Sequence, residues 1–367
     1  MKYMRANISL SLNFMNFRKR ILVAPLNWGL GHATRCIPII NALINQNFEP
    51  VIASDGSALK LLQKEFPKLK TIELPSYNIQ YSKKASGLKW KLLRNAPHIV
   101  KTIKLEYNAT QSIIDKYDIK GIISDNRFGV RGNTVPSVFL THQVQVLSGN
   151  TTWISTALHK KIIKKFDECW IPDYSGDINL SGKLGHPITS DINLKYIGPL
   201  SRFKKQKYNS EFDVLVLISG PEPQRSLLQE KLLEAFENYD GEVLFVHGLV
   251  EKKQLITRKK HITSYNFMTS LDLEKAIQKS KIVVSRSGYT SIMDLAKMKK
   301  DCYFIPTPGQ FEQEYLANRL KDQHIVPSCN QNEFTLEKLK EIKKFKGLST
   351  FDFDTDYSDL FRLFECE

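Results

Sequence analysis

A chain of 367 residues is longer than one average hydrophobic core fills, so two domains are expected. With 42% apolar and 25% charged residues, the composition is ordinary for a soluble globular protein; no apolar run of about 20 residues is present, which excludes a membrane-spanning helix. The net charge of +15 requires a partner or an explanation, and five scattered cysteines without a Cys-x-x-Cys pair exclude a zinc site or a disulfide framework.

The first 20 residues are predicted to form an N-terminal extension. They contain a short apolar patch at 8–14 but no small-residue cleavage site, so a secretory signal is not expected. Met15 precedes the polar and basic run 16–20 and the first strand, and it is therefore a second candidate for the natural start.

Strands and helices are predicted to alternate along the rest of the chain. Strands are predicted at 21–25, 50–54, 71–74, 120–124, 136–140, 168–172, 195–197, 213–219, 242–247, 261–264, 281–285 and 301–305. Helices are predicted at 34–46, 57–65, 97–116, 224–237, 270–279, 290–298 and 312–322. This alternation is typical of parallel sheets with crossover helices, and the stretch 197–211 separates two such halves.

A glycine-bearing loop, Gly29-Leu30-Gly31-His32, follows the first strand. Glycines at such a position often indicate only a tight turn, so the Gly-x-Gly pattern alone is weak. The histidine that follows adds an imidazole at the carboxyl edge of a parallel sheet, where open α/β folds bind their ligands.

A second motif, Ser285-Arg286-Ser287-Gly288, lies between an apolar strand and a helix that begins near Thr290. Free N–H groups and the positive dipole end of such a helix suit an anionic diphosphate. Asp294, one turn into the helix, suits a ribose diol, and Gln313 with Glu314 after the next strand suits sugar hydroxyls. Together these residues predict a nucleotide-sugar pocket.

The two motifs together resemble those of family 28 glycosyltransferases, which have the GT-B fold. This group includes the bacterial transferase that adds N-acetylglucosamine to a lipid-linked muropeptide, and the plant monogalactosyldiacylglycerol synthases. The resemblance extends over about residues 20–325 and implies an α/β fold with two Rossmann-like, doubly wound domains that face a cleft. Residues 21–200 would bind the acceptor and residues 204–345 the nucleotide sugar. Residues 351–367 would form a helix that packs back on the first domain, and transfer would be inverting and need no metal or other cofactor.

The resemblance also assigns individual donor contacts. The turn 287–290 matches the diphosphate-facing turn, and Asp294 stands where the family has a glutamate for the ribose. Glu314 replaces the second glutamine of a pair that contacts the sugar, so galactose, glucose or another hexose stays as open as N-acetylglucosamine. Arg225 lies in a loop whose two prolines remove N–H donors, so its charge would replace them; a surface residue is an equally good interpretation. Phe267 would lie beside the uracil, and a core aromatic is the equally good alternative. The predicted donor-binding residues are Gly29, Gly31, Ser219, Gly220, Arg225, Phe267, Ser287, Gly288, Thr290, Asp294, Gln313 and Glu314.

His32 is the candidate general base, because an imidazole titrates near neutrality. The alternative is that it orients its loop or binds the diphosphate. Asp125 ends another predicted strand and is either the base itself, an acceptor contact, or a structural turn or cap residue. Arg127, His142 and Gln143 follow strands of the same half and are predicted on the acceptor side of the cleft.

The positive charge is distributed unevenly. Residues 82–105 contain seven basic residues and no acidic one, interleaved with apolar residues, and residues 159–166 repeat this pattern. Such stretches suit an anionic membrane surface, at about 1 kcal/mol for each charge close to it, although a solvated helix face is the alternative. Nucleic acid is not expected, because no nucleic-acid-binding fold signature is present. The predicted membrane-facing residues are Lys83, Lys84, Lys89, Trp90, Lys91 and Arg94.

The sequence therefore predicts a cytoplasmic glycosyltransferase, peripheral on the inner face of the plasma membrane. It would move a hexosyl or N-acetylhexosaminyl group from a UDP-sugar to a lipid-linked or cell-envelope glycan. Two alternatives stay open. A UDP-sugar 2-epimerase needs acids and histidines around the donor sugar, of which the second half has few. A catalytically inactive nucleotide-sugar-binding protein is favoured by the altered loop at 219–225 and by Asp294.

Overall fold

A computed structural model describes residues 18–77, 87–188, 190–351 and 355–365, with side chains for all of these except residues 87–96 and Asn150. Within these ranges the first half of the chain forms a seven-stranded sheet in the order β3-β2-β1-β4-β5-β6-β7, with every neighbouring pair parallel. Its strands are β1 (Arg20–Pro25), β2 (Glu49–Ser54), β3 (Lys70–Glu73), β4 (Ile119–Asp125), β5 (Ser137–Leu140), β6 (Glu168–Ile171) and β7 (Leu194–Tyr196).

The second half forms a sheet of six described strands, in the order β10-β11-β9-β8-β12-β13. Its pairs are parallel except for the antiparallel hairpin of β10 and β11 at one edge. The strands are β8 (Phe212–Leu217), β9 (Val243–Val246), β10 (Ile256–Lys259), β11 (Ile262–Tyr265), β12 (Ser280–Ser285) and β13 (Cys302–Phe304).

Helices connect the parallel strands in both halves. They are α1 (Leu30–Asn45), α2 (Gly56–Glu65), α3 (Gly87–Tyr117), α4 (Thr152–Ile163), α5 (Gln224–Ala235), α6 (Ser270–Gln278), α7 (Tyr289–Lys297) and α8 (Phe311–Asp322). Short 3-10 helices lie at Gly149–Thr151, Gly182–Leu184, Gln331–Glu333, Leu336–Lys344, Leu348–Thr350 and Arg362–Phe364.

The sheets are apolar because helices cover both of their faces, which is the usual situation of parallel sheets. Ile21, Leu22 and Val23 of β1 have no exposed surface. One buried apolar cluster extends from the first sheet through Leu200, in the segment that connects the two sheets, to Met293 on α7. The two halves therefore share a continuous apolar contact.

Strand order reverses direction beside the first strand of each sheet. In the first sheet β1 lies between β2 and β4, and in the second sheet β8 lies between β9 and β12. The loops that leave the carboxyl ends of β1 and β4, and of β8 and β12, therefore diverge and leave a crevice, which is where open α/β folds bind ligands. His32 follows β1, Asp125 ends β4, and the turn 286–288 follows β12.

The alternation of parallel strands and helices is confirmed. The sheets separate between Tyr196 and Phe212, around the predicted boundary at 200–204, and the domain limits themselves stay a prediction. Strand β10 was not predicted, because its sequence is polar and all four of its residues are exposed. Helix α3 begins ten residues before the predicted 97.

The predicted C-terminal helix at 351–367 is wrong over the residues that are described there. Residues 355–365 form turns and the single 3-10 helix Arg362–Phe364. The segment does pack on the first sheet: Phe361 lies against Phe48 and Trp170, and Phe364 lies against Trp170 and the Cα of Gly121. The aromatic side chains of Phe361 and Phe364 therefore anchor this segment on the first sheet, although its backbone forms no regular α-helix.

None of the described helices is both long enough and apolar enough to cross a membrane. The six side chains predicted to face a membrane are not described by the structure. Lys83 and Lys84 lie outside the described ranges, and Lys89, Trp90, Lys91 and Arg94 lie in the part of α3 whose side chains are not described.

Candidate active site

His32 and Asp125 meet at the reversal point of the first sheet. Pro25, at the end of β1, is in register with Asp125 at the end of β4, so the loop after β1 passes over the end of β4. Helix α1 begins at Leu30 and carries His32 in its first turn. The imidazole Nδ1 of His32 lies 2.8 Å from Oδ1 of Asp125. The carboxylate is fully buried, whereas the side chain of His32 is 15% exposed.

Arg35 holds the carboxylate from the other side. It lies three residues after His32, on the same face of α1. Its Nε donates to Oδ2 of Asp125 at 2.6 Å, and its Nη2 donates to Oδ1. Burial alone would raise the pKa of Asp125, but the charges and hydrogen bonds of Arg35 and His32 outweigh it and lower that pKa to about 2. Asp125 is therefore an ionised acceptor at all ordinary pH values.

The ionised carboxylate of Asp125 determines which ring nitrogen of His32 carries the hydrogen. Nδ1 lies near both Asp125 and Nη2 of Arg35, and a ring nitrogen cannot donate to one and accept from the other. Because Asp125 only accepts and Arg35 already donates to it, Nδ1 of His32 carries the hydrogen, and Nε2 keeps a free lone pair. Burial lowers the pKa of His32, with further lowering by Arg35, against the opposing effect of Asp125. The imidazole is therefore neutral near pH 7 and able to accept a proton.

His142 of the first half, together with Glu312 and Tyr289 of the second half, completes the wall around this group. His142, just after β5, accepts from Nη1 of Arg35 at 2.9 Å through Nδ1. Its Nε2 then donates to Oε1 of Glu312, in the first turn of α8, at 2.9 Å. The ring of Tyr289 stacks on that of His142 with centroids 4.4 Å apart and planes 5° apart. A single polar cluster therefore joins three loops of the first half to α7 and α8.

The turn 286–288 leads from β12 into α7, whose N-cap is Gly288. Thr290, in the first turn, donates through Oγ1 to the carbonyl oxygen of Gly31 at 3.1 Å. A Cβ added at Gly31 would lie 3.2 Å from the same Oγ1, whereas a Cβ at Gly288 would meet nothing closer than 3.9 Å. The positive end of α7 and the His32 loop are therefore in direct contact across the two halves.

Part of the chain matches a known protein family. Residues 222–345 match the model described as the glycosyltransferase family 28 C-terminal domain. The family resemblance is confirmed. An uncharacterized glycosyltransferase of Methanopyrus kandleri is 20% identical over 80% of this chain and 87% of its own length. A UDP-N-acetylglucosamine–N-acetylmuramyl-(pentapeptide) pyrophosphoryl-undecaprenol N-acetylglucosamine transferase of Haemophilus ducreyi is 21% identical over 73% of this chain and 76% of its own length.

Solved structures agree on the fold. The glycosyltransferase SnogD from Streptomyces nogalater superposes with a TM-score of 0.57 at 12% identity, over 89% of this chain and 90% of that chain. The predicted fold class is confirmed as GT-B, with two Rossmann-like domains that face a cleft. The matches support a glycosyltransferase of the family 28, GT-B type.

Three of the predicted donor residues on the family 28 domain hold loops of that domain. The side-chain Oε1 of Gln313 accepts from the backbone N–H of Thr307 at 2.8 Å, and the backbone carbonyl oxygen of Gln313 accepts from Oγ of Ser287 at 2.8 Å. Glu314 accepts the N–H of Gly309 at 2.8 Å. These contacts bring the 287–290 turn and the loop after β13 together, as the predicted sugar pocket requires, and donor contact by each side chain stays a prediction.

The carboxylate of Asp294 is buried more deeply than a carboxylate that is free to contact a ribose would be. Its Oδ1 accepts from Oγ of Ser201 at 2.8 Å, and its Oδ2 lies 3.7 Å from Nε of Arg202, both in the connecting segment. Burial raises the pKa of Asp294 to about 6, against the opposing charge of Arg202 and the hydrogen bond of Ser201. In this structure the carboxylate ties α7 to the connection between the domains.

The loop after β8 holds the remaining donor candidates. Ser219 and Gly220 lie at the carboxyl end of β8, and a Cβ at Gly220 would meet only Oγ1 of Thr307, at 3.7 Å. Arg225 pairs with Glu222 in the same loop and donates to the carbonyl oxygen of His247 at 3.3 Å. The alternative of a surface Arg225 is therefore not favoured, because its guanidinium braces the loop.

Phe267 and Arg127 lie apart from the groups above. Phe267 is 4% exposed, and Nζ of Lys64, from the first domain, lies 5.0 Å from its ring centroid. The structure does not bring Arg127 to the acceptor side of the cleft. It is fully buried and donates to Oε1 of Glu106 and Oδ1 of Asp55, each at 2.7 Å. Arg127 lies in the interior of the first domain because its guanidinium neutralises the two buried carboxylates there.

Sequence reasoning missed three polar residues at this site. Arg35 and Glu312 complete the cluster around His32 and His142. Thr307 has a buried Oγ1 without a hydrogen-bond partner among the described residues, beside the predicted donor loop. The position of Arg35, one helical turn after His32 on the same helix, was a signal that could have found it. Glu312 directly precedes the predicted pair Gln313 and Glu314, but nothing in the sequence indicates that it faces the first domain.

Proposed function

We propose that the protein transfers a hexosyl or N-acetylhexosaminyl group from a UDP-sugar to a lipid-linked or cell-envelope glycan. The observation that carries this proposal is the neutral His32, oriented by Asp125, opposite the start of α7 in a family 28 domain. The acceptor is suggested by the printed name of the Haemophilus ducreyi relative, whose substrate carries pyrophosphoryl-undecaprenol.

The chemistry follows from the two sides of the cleft. An acceptor hydroxyl gives its proton to Nε2 of His32 as its oxygen attacks the anomeric carbon, and Asp125 stabilises the imidazolium that forms. The nucleoside diphosphate leaves toward the N-terminal N–H groups of α7 and the loop after β8, where helix dipole and backbone donors stabilise its charge without a metal. A single displacement inverts the configuration of the sugar.

An anionic membrane surface is the proposed partner, on the inner face of the plasma membrane. Helix α4 supports it with three exposed apolar side chains: Trp153 is 73% exposed, Leu158 58% and Ile154 41%. Trp153 and Lys160 line a groove of about 590 Å³ together with the loop at 187–188. An apolar face beside lysines suits a membrane interface, as the run 159–166 predicted from sequence.

The first test is thermal stabilisation by UDP, UDP-N-acetylglucosamine, UDP-galactose, GDP-mannose and dTDP-glucose. A ligand at about 100 times its Kd adds roughly 2.7 kcal/mol, which gives a clear shift. We expect uridine nucleotides to stabilise the protein and one UDP-sugar to release UDP. Stabilisation without any turnover would support the inactive binding protein, and conversion of the donor to its 2-epimer would support the epimerase. Absence of every shift would overturn the donor site.

A further inference from the structure

His32, Arg35, Asp125, His142 and Glu312 form one polar cluster, the His32 cluster. Glu312 is the carboxylate of this cluster that comes from the family 28 domain. Besides Oε1, which accepts from His142, its Oε2 accepts from Nε2 of Gln143. Its side chain is 18% exposed and that of His142 is 6% exposed, so the contact is largely shielded from solvent. Gln313 and Glu314, the predicted contacts of the donor sugar, are the next two residues on α8.

A continuous chain of hydrogen bonds runs from Glu312 to His32. The links are Glu312 to His142 at 2.9 Å, His142 to Arg35 at 2.9 Å, Arg35 to Asp125 at 2.6 Å, and Asp125 to His32 at 2.8 Å. Arg35 only donates and both carboxylates accept, so each imidazole has one neutral tautomer that satisfies its neighbours. A change at Glu312 therefore reaches the imidazole of His32 through His142, Arg35 and Asp125.

We infer that Glu312 is a positioning residue for transfer, which fixes His142 and Arg35 and thereby completes the His32–Asp125 base only when the two domains are in contact. The inference rests on the proposed function, since it assigns a role within that reaction. Two further contacts support it: Tyr289 of α7 stacks on His142, and its hydroxyl donates to the carbonyl oxygen of Pro172 at 2.8 Å. His142 is therefore held by the family 28 domain on two sides.

The charges around His32 give the direction of the effect. The titratable groups that interact with it are Asp125 from β4, Arg35 from α1, His142 after β5 and Glu312 from α8, and the thiol of Cys36 contacts Asp125. Burial would raise the pKa of Glu312, but His142, Arg35 and His32 lower it overall, so the carboxylate is ionised near neutrality. Without this negative charge Arg35 is less compensated, and the imidazolium form of His32 becomes less stable.

The test compares Glu312→Gln with Glu312→Asp and with the control Asp322→Asn. Asp322 is exposed at the other end of α8, so its change removes the same charge from the same helix outside the cluster. The probe is UDP release from UDP-N-acetylglucosamine, or from whichever UDP-sugar of the panel the wild type turns over, followed from pH 4.5 to 9.

Glu312→Gln should lower kcat by about 10- to 100-fold, the loss expected from a misplaced base, with KM for the donor changed less than about threefold. The acid limb of its kcat profile should move to lower pH, because His32 loses a nearby negative charge. Glu312→Asp keeps the charge at a shorter reach, so its kcat should fall with the acid limb unmoved. Asp322→Asn should match the wild type.

Each outcome decides one question. An unchanged kcat and an unchanged acid limb in Glu312→Gln, in a wild type that turns over, would overturn the positioning role alone. A wild type that turns over no donor would overturn the proposed function instead. If Glu312→Gln does not fold, Glu312→Asp decides: a reduced kcat supports the inference, and wild-type kcat contradicts it.

Discussion

Replacing Asp125 with asparagine removes one charge from a site that has no exposed surface. The amide keeps the size of the carboxylate, so the change leaves no cavity. It does leave Arg35 buried with its main partner neutral, since the nearest other carboxylate, Glu312, reaches Arg35 only through His142. The amide nitrogen also offers a donor to His32, which favours the tautomer with hydrogen on Nε2 and removes the base.

Two independent quantities set the loss in free energy of unfolding that Asp125→Asn should cause. The pKa of Asp125 is about 2 in the folded protein, against about 3.9 in an unfolded chain, and this difference corresponds to about 2 to 3 kcal/mol at neutral pH. Breaking a buried ion pair by neutralising one partner typically costs about 3 to 5 kcal/mol. The depressed pKa contributes stability above about pH 4, and that stability is lost as the pH falls from about 4 through about 2.

Urea unfolding of the wild type and Asp125→Asn, at pH 7 and at intervals down to pH 3, measures this difference. We expect Asp125→Asn to be less stable by about 3 kcal/mol at pH 7 and the gap to narrow below pH 4. The control is Asp118→Asn: Asp118 is 72% exposed and pairs with Lys120 on the surface, so its loss should cost no more than about 1 kcal/mol. A gap at pH 7 below that of the control, or a gap that does not depend on pH, would refute the electrostatic reasoning.

Three further predictions concern catalysis, membrane contact and pH. His32→Ala should still be stabilised by UDP while UDP release falls by about 10²- to 10⁴-fold, and loss of UDP stabilisation would instead point to a diphosphate contact. Trp153→Ser combined with Leu158→Ser should weaken sedimentation with vesicles rich in phosphatidylglycerol, and equal binding by wild type and variant would exclude α4 as the docking face. Burial raises the pKa of Asp294 to about 6, so its contribution to the free energy of unfolding is complete below about pH 4 and is lost as the pH rises through 6. In Asp294→Asn, the loss of stability between pH 4 and pH 7 should be smaller by about 2 to 3 kcal/mol. An unchanged loss of stability over this range would count against burial as the cause.

Local patterns predicted most of the fold, because parallel strands are continuously apolar and the turns that follow them carry glycine. They also predicted His32 and Asp125 separately, since each directly follows or ends a strand. Arg35, Asp125 and Glu312 come together across 90 and more residues of chain, and no local pattern encodes those contacts. The tail was predicted as a helix because its apolar residues recur, yet those residues anchor it by aromatic packing on the first sheet.

The return of the tail has a consequence for synthesis. Phe361 and Phe364 have at most 1% exposed surface, and the ring of Phe364 occupies the space that a side chain at Gly121 would need. The first domain is therefore closed by residues that the ribosome adds only after the entire second domain. Until then the face around Trp170 lacks the two rings that cover it in the finished protein, so the first domain is completed only after the second has been synthesised.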